Sequence, residues 1–81
     1  MRVTIRLFAR LRDIVGATEL DRTTPDDATV QRVWHNLVAE FPDAAAYADS
    51  VSVAVNAEYA RMDTTVRDGD DIAFLPPVSG G

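Results

Sequence analysis

The sequence predicts an α+β fold, a mixed sheet of about five strands with one main helix across one face. Three observations lead there. Runs at opposite ends of the chain, residues 3–8 and 71–75, alternate apolar and polar side chains as strands do. A third alternating run, 51–55, leads through Asn56-Ala57 into Glu58-Tyr59-Ala60, which reads as a hairpin. Only one long stretch, 29–41, carries helical spacing, and one helix of about 12 residues cannot cover both faces of a sheet.

In chain order, Val3, Ile5 and Leu7 face the core, and Thr4, Arg6 and Phe8 face away. Residues 9–15 form a short helix with Leu11, Ile14 and Val15 inward, and Gly16 ends it because glycine accepts the left-handed conformation. Residues 18–22 read as a charged edge strand. Thr29 is the N-cap of the main helix, whose inner face carries Val30, Val33, Trp34, Leu37, Val38 and Phe41. Asp26 and Asp27 lie near its positive end, and Pro42 stops it. Residues 43–50 fit a loop or another helical turn. In the hairpin, Ala57 must take a positive φ, at a cost of about 1 kcal/mol relative to glycine. Asp68-Gly69-Asp70 turns the chain into the last strand, where Ile72 and Phe74 face one side and Ala73 and Leu75 the other. This is the ubiquitin-like β-grasp arrangement. The expected organisation is a β-grasp domain over residues 1–75 and a projecting diglycine tail over 76–81.

Composition narrows the function. The net charge is -5, which argues against nucleic acid as a partner and favours a positively charged protein surface. No apolar run approaches the roughly 20 residues of a membrane span, and no signal peptide is legible, so a cytoplasmic protein is expected. With one His and no Cys, a metal site of ordinary spacing is not expected. All 8 basic residues are Arg, and 10 of the 13 acids are Asp; a GC-rich genome or life in high salt would each produce that bias. The absence of Lys removes every side-chain ammonium that could accept an isopeptide bond.

Phe8-Ala9-Arg10-Leu11-Arg12-Asp13-Ile14-Val15-Gly16, the helix opening Ala28-Thr29-Val30, the hairpin Val55-Asn56-Ala57-Glu58 and the ending from Asp68 to Pro76-Pro77-Val78-Ser79-Gly80-Gly81 resemble the small subunits of molybdopterin synthase. The small archaeal modifier proteins share this pattern. The resemblance covers nearly the whole chain; Ala57 departs from it, standing where the usual turn has Gly. It implies a sulfur carrier rather than a catalyst. The Gly81 carboxylate would be adenylated by a ubiquitin-activating-like enzyme using ATP, with no cofactor held permanently. Sulfur would then replace one oxygen, and the thiocarboxylate would serve the large synthase subunit in building molybdopterin. The alternative it implies is a modifier joined through Gly81 to lysines of target proteins. A third reading, from another class, is a passive binding module with an unreactive tail.

The tail suits this chemistry. Gly80 and Gly81 carry no Cβ, so a partner's backbone can approach closely. Pro76 and Pro77 end sheet pairing and stiffen the base of the tail, while Val78 and Ser79 offer one apolar and one polar contact. In a β-grasp the first and last strands are parallel neighbours, which sets Phe8 and Leu75 side by side at the tail root. They are expected to form a partner-docking patch, with Arg6 and Arg10 adding directed hydrogen bonds. The other candidates are structural: His35 as an exposed helix residue, Trp34 and Phe41 as core, and Asp68, Asp70 and Asp71 as turn-forming acids that lack the length and terminal Glu of an EF-hand.

Overall fold

A computed structural model of the chain describes residues 1–77. Its elements are β1 (Arg2–Leu7), α1 (Ala9–Val15), β2 (Glu19–Thr23), α2 (Val30–Glu40), a 3-10 helix (Pro42–Tyr47), β3 (Ser52–Val55), β4 (Glu58–Ala60) and β5 (Asp71–Leu75). The sheet order is β2-β1-β5-β3-β4. β1 and β5 are the parallel central pair, with Ile5 opposite Ile72 and Leu7 opposite Phe74; the other pairings are antiparallel.

One side of this sheet holds the core. Val3, Ile5 and Leu7 of β1, Ile72 and Phe74 of β5, and Val53 of β3 bury against Leu11 of α1 and Val30, Val33, Trp34 and Leu37 of α2. Phe74 is fully buried, and its ring meets Trp34 at 5.0 Å between centroids, tilted by 56°, a geometry aromatic pairs favour. Phe41 is half-buried against this cluster, at the C-cap of α2.

The ends of α2 are satisfied from two sides. Thr29 accepts from the Arg32 amide at 3.4 Å, as an N-cap should. The amides of Val30 and Gln31 donate to the carbonyls of Thr64 and Met62 at 2.9 and 2.8 Å. The connection between β4 and β5 therefore supplies acceptors that helix N-termini otherwise lack. Asp26, expected at the helix dipole, instead faces the Met1 amine at 3.3 Å, and the first turn of α2 holds no acid. The ambiguous stretch after Pro42 resolves as the 3-10 helix, which buries Ala44.

Both predicted tight turns form. Gly16 ends α1 at φ 81, and Gly69 turns into β5 at φ 83. Asn56 and Ala57 sit at φ 52 and 70, the positive pair that a two-residue hairpin turn requires. Ala9 also has a positive φ, 51, at the start of α1.

Candidate functional site

Among the described residues, no element covers the side of the sheet away from α2. Across its middle runs Glu19, Arg6, Ala73, Ala54 and Tyr59, one residue from each strand, aligned by the sheet register. Among the described residues, the two large apolar side chains that stay exposed, Phe8 at 44% and Tyr59 at 82%, both belong to this face. Phe8 continues the outward alternation of β1 in extended backbone (φ -127, ψ 153) before α1 begins.

Phe8 separates two depressions. One, of about 470 Å3, is lined by Phe8, Ala9, Arg10, Tyr47, Leu75, Pro76 and Pro77. The other, of about 430 Å3, is lined by Arg6, Phe8, Asn56, Ala57, Asp71 and Ala73. The first is the groove at the tail root. β5 ends at Leu75, Pro76 is half-buried, and Pro77 is exposed. Two prolines stop the ladder here because they have no amide to donate. The expected neighbours Phe8, Leu75, Pro76 and Pro77 thus line one groove, with the exposed Arg10 at its edge, paired to Asp13 at 3.7 Å.

Arg6 lies in the neighbouring depression. Its Nε donates to the Asp71 carboxylate, and Glu19 stands 3.7 Å from its Nη1. The Asp71 hydrogen bond and charge, with a smaller push from Glu19, raise the guanidinium pKa above its ordinary value. Arg6 therefore presents a paired group, with Nε already committed. The expected tail contacts Val78, Ser79 and Gly80, and Gly81, expected to react, lie outside the described residues.

The turn acids are engaged as structural acceptors. Asp68 accepts from the Arg2 amide at 2.8 Å, and Asp70 from the Arg67 amide at 2.8 Å and the Asn56 side chain at 2.9 Å. Among the described residues no group of three or more His, Cys, Asp or Glu is placed to hold a metal ion. No helix there is long and apolar enough to cross a membrane. His35 is exposed on α2.

Two residues of this face escaped the sequence reading. Tyr59 could have been found from the hairpin register: Val53 and Val55 point inward, so Ala54 and its cross-strand partner Tyr59 point outward. Tyr47 reaches the tail-root groove from the 3-10 helix, an element with no periodic signal in the sequence.

A five-stranded mixed sheet with a parallel central pair, one helix across it and an open opposite face defines a ubiquitin-like β-grasp protein. The chain belongs to the ThiS family, whose model matches residues 5–81. It is 34% identical over 79 residues to the molybdopterin synthase sulfur carrier subunit of Arabidopsis thaliana, covering 98% of this chain and 82% of that protein. It is also 34% identical over 92 residues to small archaeal modifier protein 3 of Haloferax volcanii, covering both chains fully. The crystal structure of SAMP1 from Haloferax volcanii superposes with a TM-score of 0.90 at 29% identity, over 100% of both chains.

Proposed function

We propose that the chain is a sulfur carrier acting through the Gly81 carboxylate in molybdopterin synthesis. The supporting observation is near full-length similarity to relatives named as sulfur carrier subunits of molybdopterin synthase, including those of Arabidopsis thaliana and Escherichia coli. The groove between Phe8 and Pro77 suits the task, because it offers an apolar dock beside the root of the reactive segment.

The chemistry runs in two steps. A Gly81 carboxylate oxygen attacks the α-phosphorus of ATP in an adenylating enzyme, forming an acyl adenylate and releasing pyrophosphate. Sulfide then attacks the carbonyl carbon, the C–S bond forms as the C–O bond to AMP breaks, and the resulting thiocarboxylate is presented to the large synthase subunit. This chain contributes the carried group and the docking face; the partner enzymes contribute the catalysts. We place the reaction in the cytoplasm, which supplies the ATP that the first step consumes. Phe8, Leu75 and Arg10 are the contacts we assign to docking, with Arg6 at the margin, and Pro76, Pro77, Val78, Ser79 and Gly80 the segment that enters the partner sites.

A second reading, conjugation of Gly81 to lysines of target proteins, is favoured by the end-to-end similarity to the archaeal modifier. Both readings begin with adenylation. The experiment is ATP–pyrophosphate exchange catalysed by the adenylating enzyme in the presence of this chain. Exchange that disappears when Gly81 is deleted is expected; exchange unaffected by the deletion would sink both readings. Once activation is established, thiocarboxylate delivered to a large subunit identifies the carrier, and branched Gly81–lysine peptides identify the modifier.

A further inference from the structure

Acyl transfer from an activated glycine goes to whichever competent nucleophile meets it first, including those on other copies of the same protein. Amines and thiols are the efficient acceptors. The chain has neither a Lys nor a Cys in its 81 residues. Its 8 basic side chains are all guanidinium groups, which stay protonated in proteins and offer no free lone pair. Two are held further in that state: the hydrogen bond that Arg6 donates to Asp71 raises its pKa, and those that Arg22 donates to Glu40 raise its pKa against a smaller opposing effect of burial. Hydroxyl groups need an adjacent base to compete, and an acyl group caught by the exposed His35 would be a labile imidazole adduct.

One amine remains, that of Met1. It donates to the Thr24 carbonyl at 2.9 Å and to Asp26 at 3.3 Å. Met1 is pinned from its other end too, its carbonyl accepting from the Thr24 amide at 2.9 Å. To attack an acyl group, this ammonium would have to lose its third proton and present the lone pair from where the Thr24 carbonyl and Asp26 carboxylate hold it.

We propose that the protein is a one-way acyl donor: activated at Gly81, it passes its acyl group only to nucleophiles on other kinds of molecule and is never itself extended by a second copy. In the step that this design excludes, an amine lone pair attacks the Gly81 carbonyl carbon. The C–N bond forms, the C–O bond to AMP breaks, AMP leaves with the electron pair, and the amine proton passes to water. As a sulfur carrier, the chain keeps its activated glycine from being consumed by its neighbours at high concentration. As a modifier, it adds single copies and no polymers. The inference rests on the Gly81 chemistry proposed above.

The test uses the chain carrying a chemically installed Gly81 thioester, so that its outcome does not depend on any adenylating enzyme; failure of the activation reading is seen separately in pyrophosphate exchange. The thioester is incubated at mildly alkaline pH alone and with a lysine-bearing acceptor protein, and products are read by intact mass. The chain alone should only hydrolyse, while the acceptor gains one copy per modified lysine. Arg32→Lys and Arg67→Lys, both at exposed positions, should form dimers and longer ladders at least about tenfold above the parent chain. Self-conjugates of the parent chain, at Met1 or elsewhere, would overturn the proposal. So would Lys variants that stay monomeric while the external acceptor is conjugated, because the missing amine would then not be what blocks extension.

Discussion

The two faces of one sheet are built from the same strands and do opposite work. On β1, Val3, Ile5 and Leu7 are each 2% exposed, while Arg6 and Phe8, one residue along from Leu7, are exposed. On β5, Ile72 and Phe74 are fully buried, while Ala73 and Leu75 look the other way. The covered face has one aliphatic and aromatic cluster closed by α2. The open face has small residues at its centre, Ala54 and Ala73, with Phe8 and Tyr59 standing above them. A single step along a strand moves a side chain from the core to the open face, since side chains alternate with period two. A phenylalanine at position 74 is sealed in the core, and one at position 8 is left exposed beside the groove, where we assign it to docking.

Substitution should break that contrast cleanly. Phe74→Ala is expected to cost the most, about 3–5 kcal/mol of unfolding free energy, because it empties the centre of the core beside Trp34. Denaturant unfolding measures it, and a loss below about 1 kcal/mol would mean that the core closes without this ring. Phe8→Ala should change unfolding by less than about 1 kcal/mol yet weaken binding of the large synthase subunit by more than about tenfold. A variant that binds fully would remove Phe8 from the docking face.

Smaller effects sharpen the picture. Ala57→Gly relieves a non-glycine residue at φ 70 and should stabilise the fold by about 1 kcal/mol, read as a higher denaturation midpoint. The Arg22–Glu40 pair ties the edge strand β2 to the end of α2. The Arg22 hydrogen bond, against a smaller opposing effect of burial, holds the Glu40 carboxyl below the usual carboxylate range. A depressed acid contributes stability that is present above its unfolded pKa and is lost as pH falls through the folded one. Both side chains are more than a third exposed, so the contribution is under about 1 kcal/mol and weaker in high salt. Glu40→Gln should remove this part of the acid sensitivity, and unchanged acid unfolding would show that the pair adds nothing.

The strands, their inward and outward faces, and α2 with its Thr29 cap were legible from local pattern, and the placing of Phe8 beside Leu75 from the fold they imply. Alternation and helical spacing are imposed by burial, and the parallel β1–β5 pairing follows once the β-grasp is inferred. What stayed hidden depends on residues far apart in sequence. Asp71 meets Arg6 only because the register of β1 on β5 brings them together. Met62 and Thr64 carbonyls serve the start of α2 from the β4–β5 connection, which no N-terminal helix signal announces. The alanine-rich segment after Pro42 carries no period, so neither the 3-10 helix nor the arrival of Tyr47 in the groove could be read from it. The proposed reactive end is the reverse case: Gly81 is singled out by its sequence pattern, and the described residues stop at Pro77, beside the groove.

The most direct measurement is the intact mass of the protein isolated gently from its own cells, with the last peptide sequenced. The expected result is a fraction with one oxygen replaced by sulfur, localised to the Gly81 carboxyl. A chain that carries an unmodified carboxylate throughout, while its adenylating enzyme is present and active, would contradict the carrier assignment.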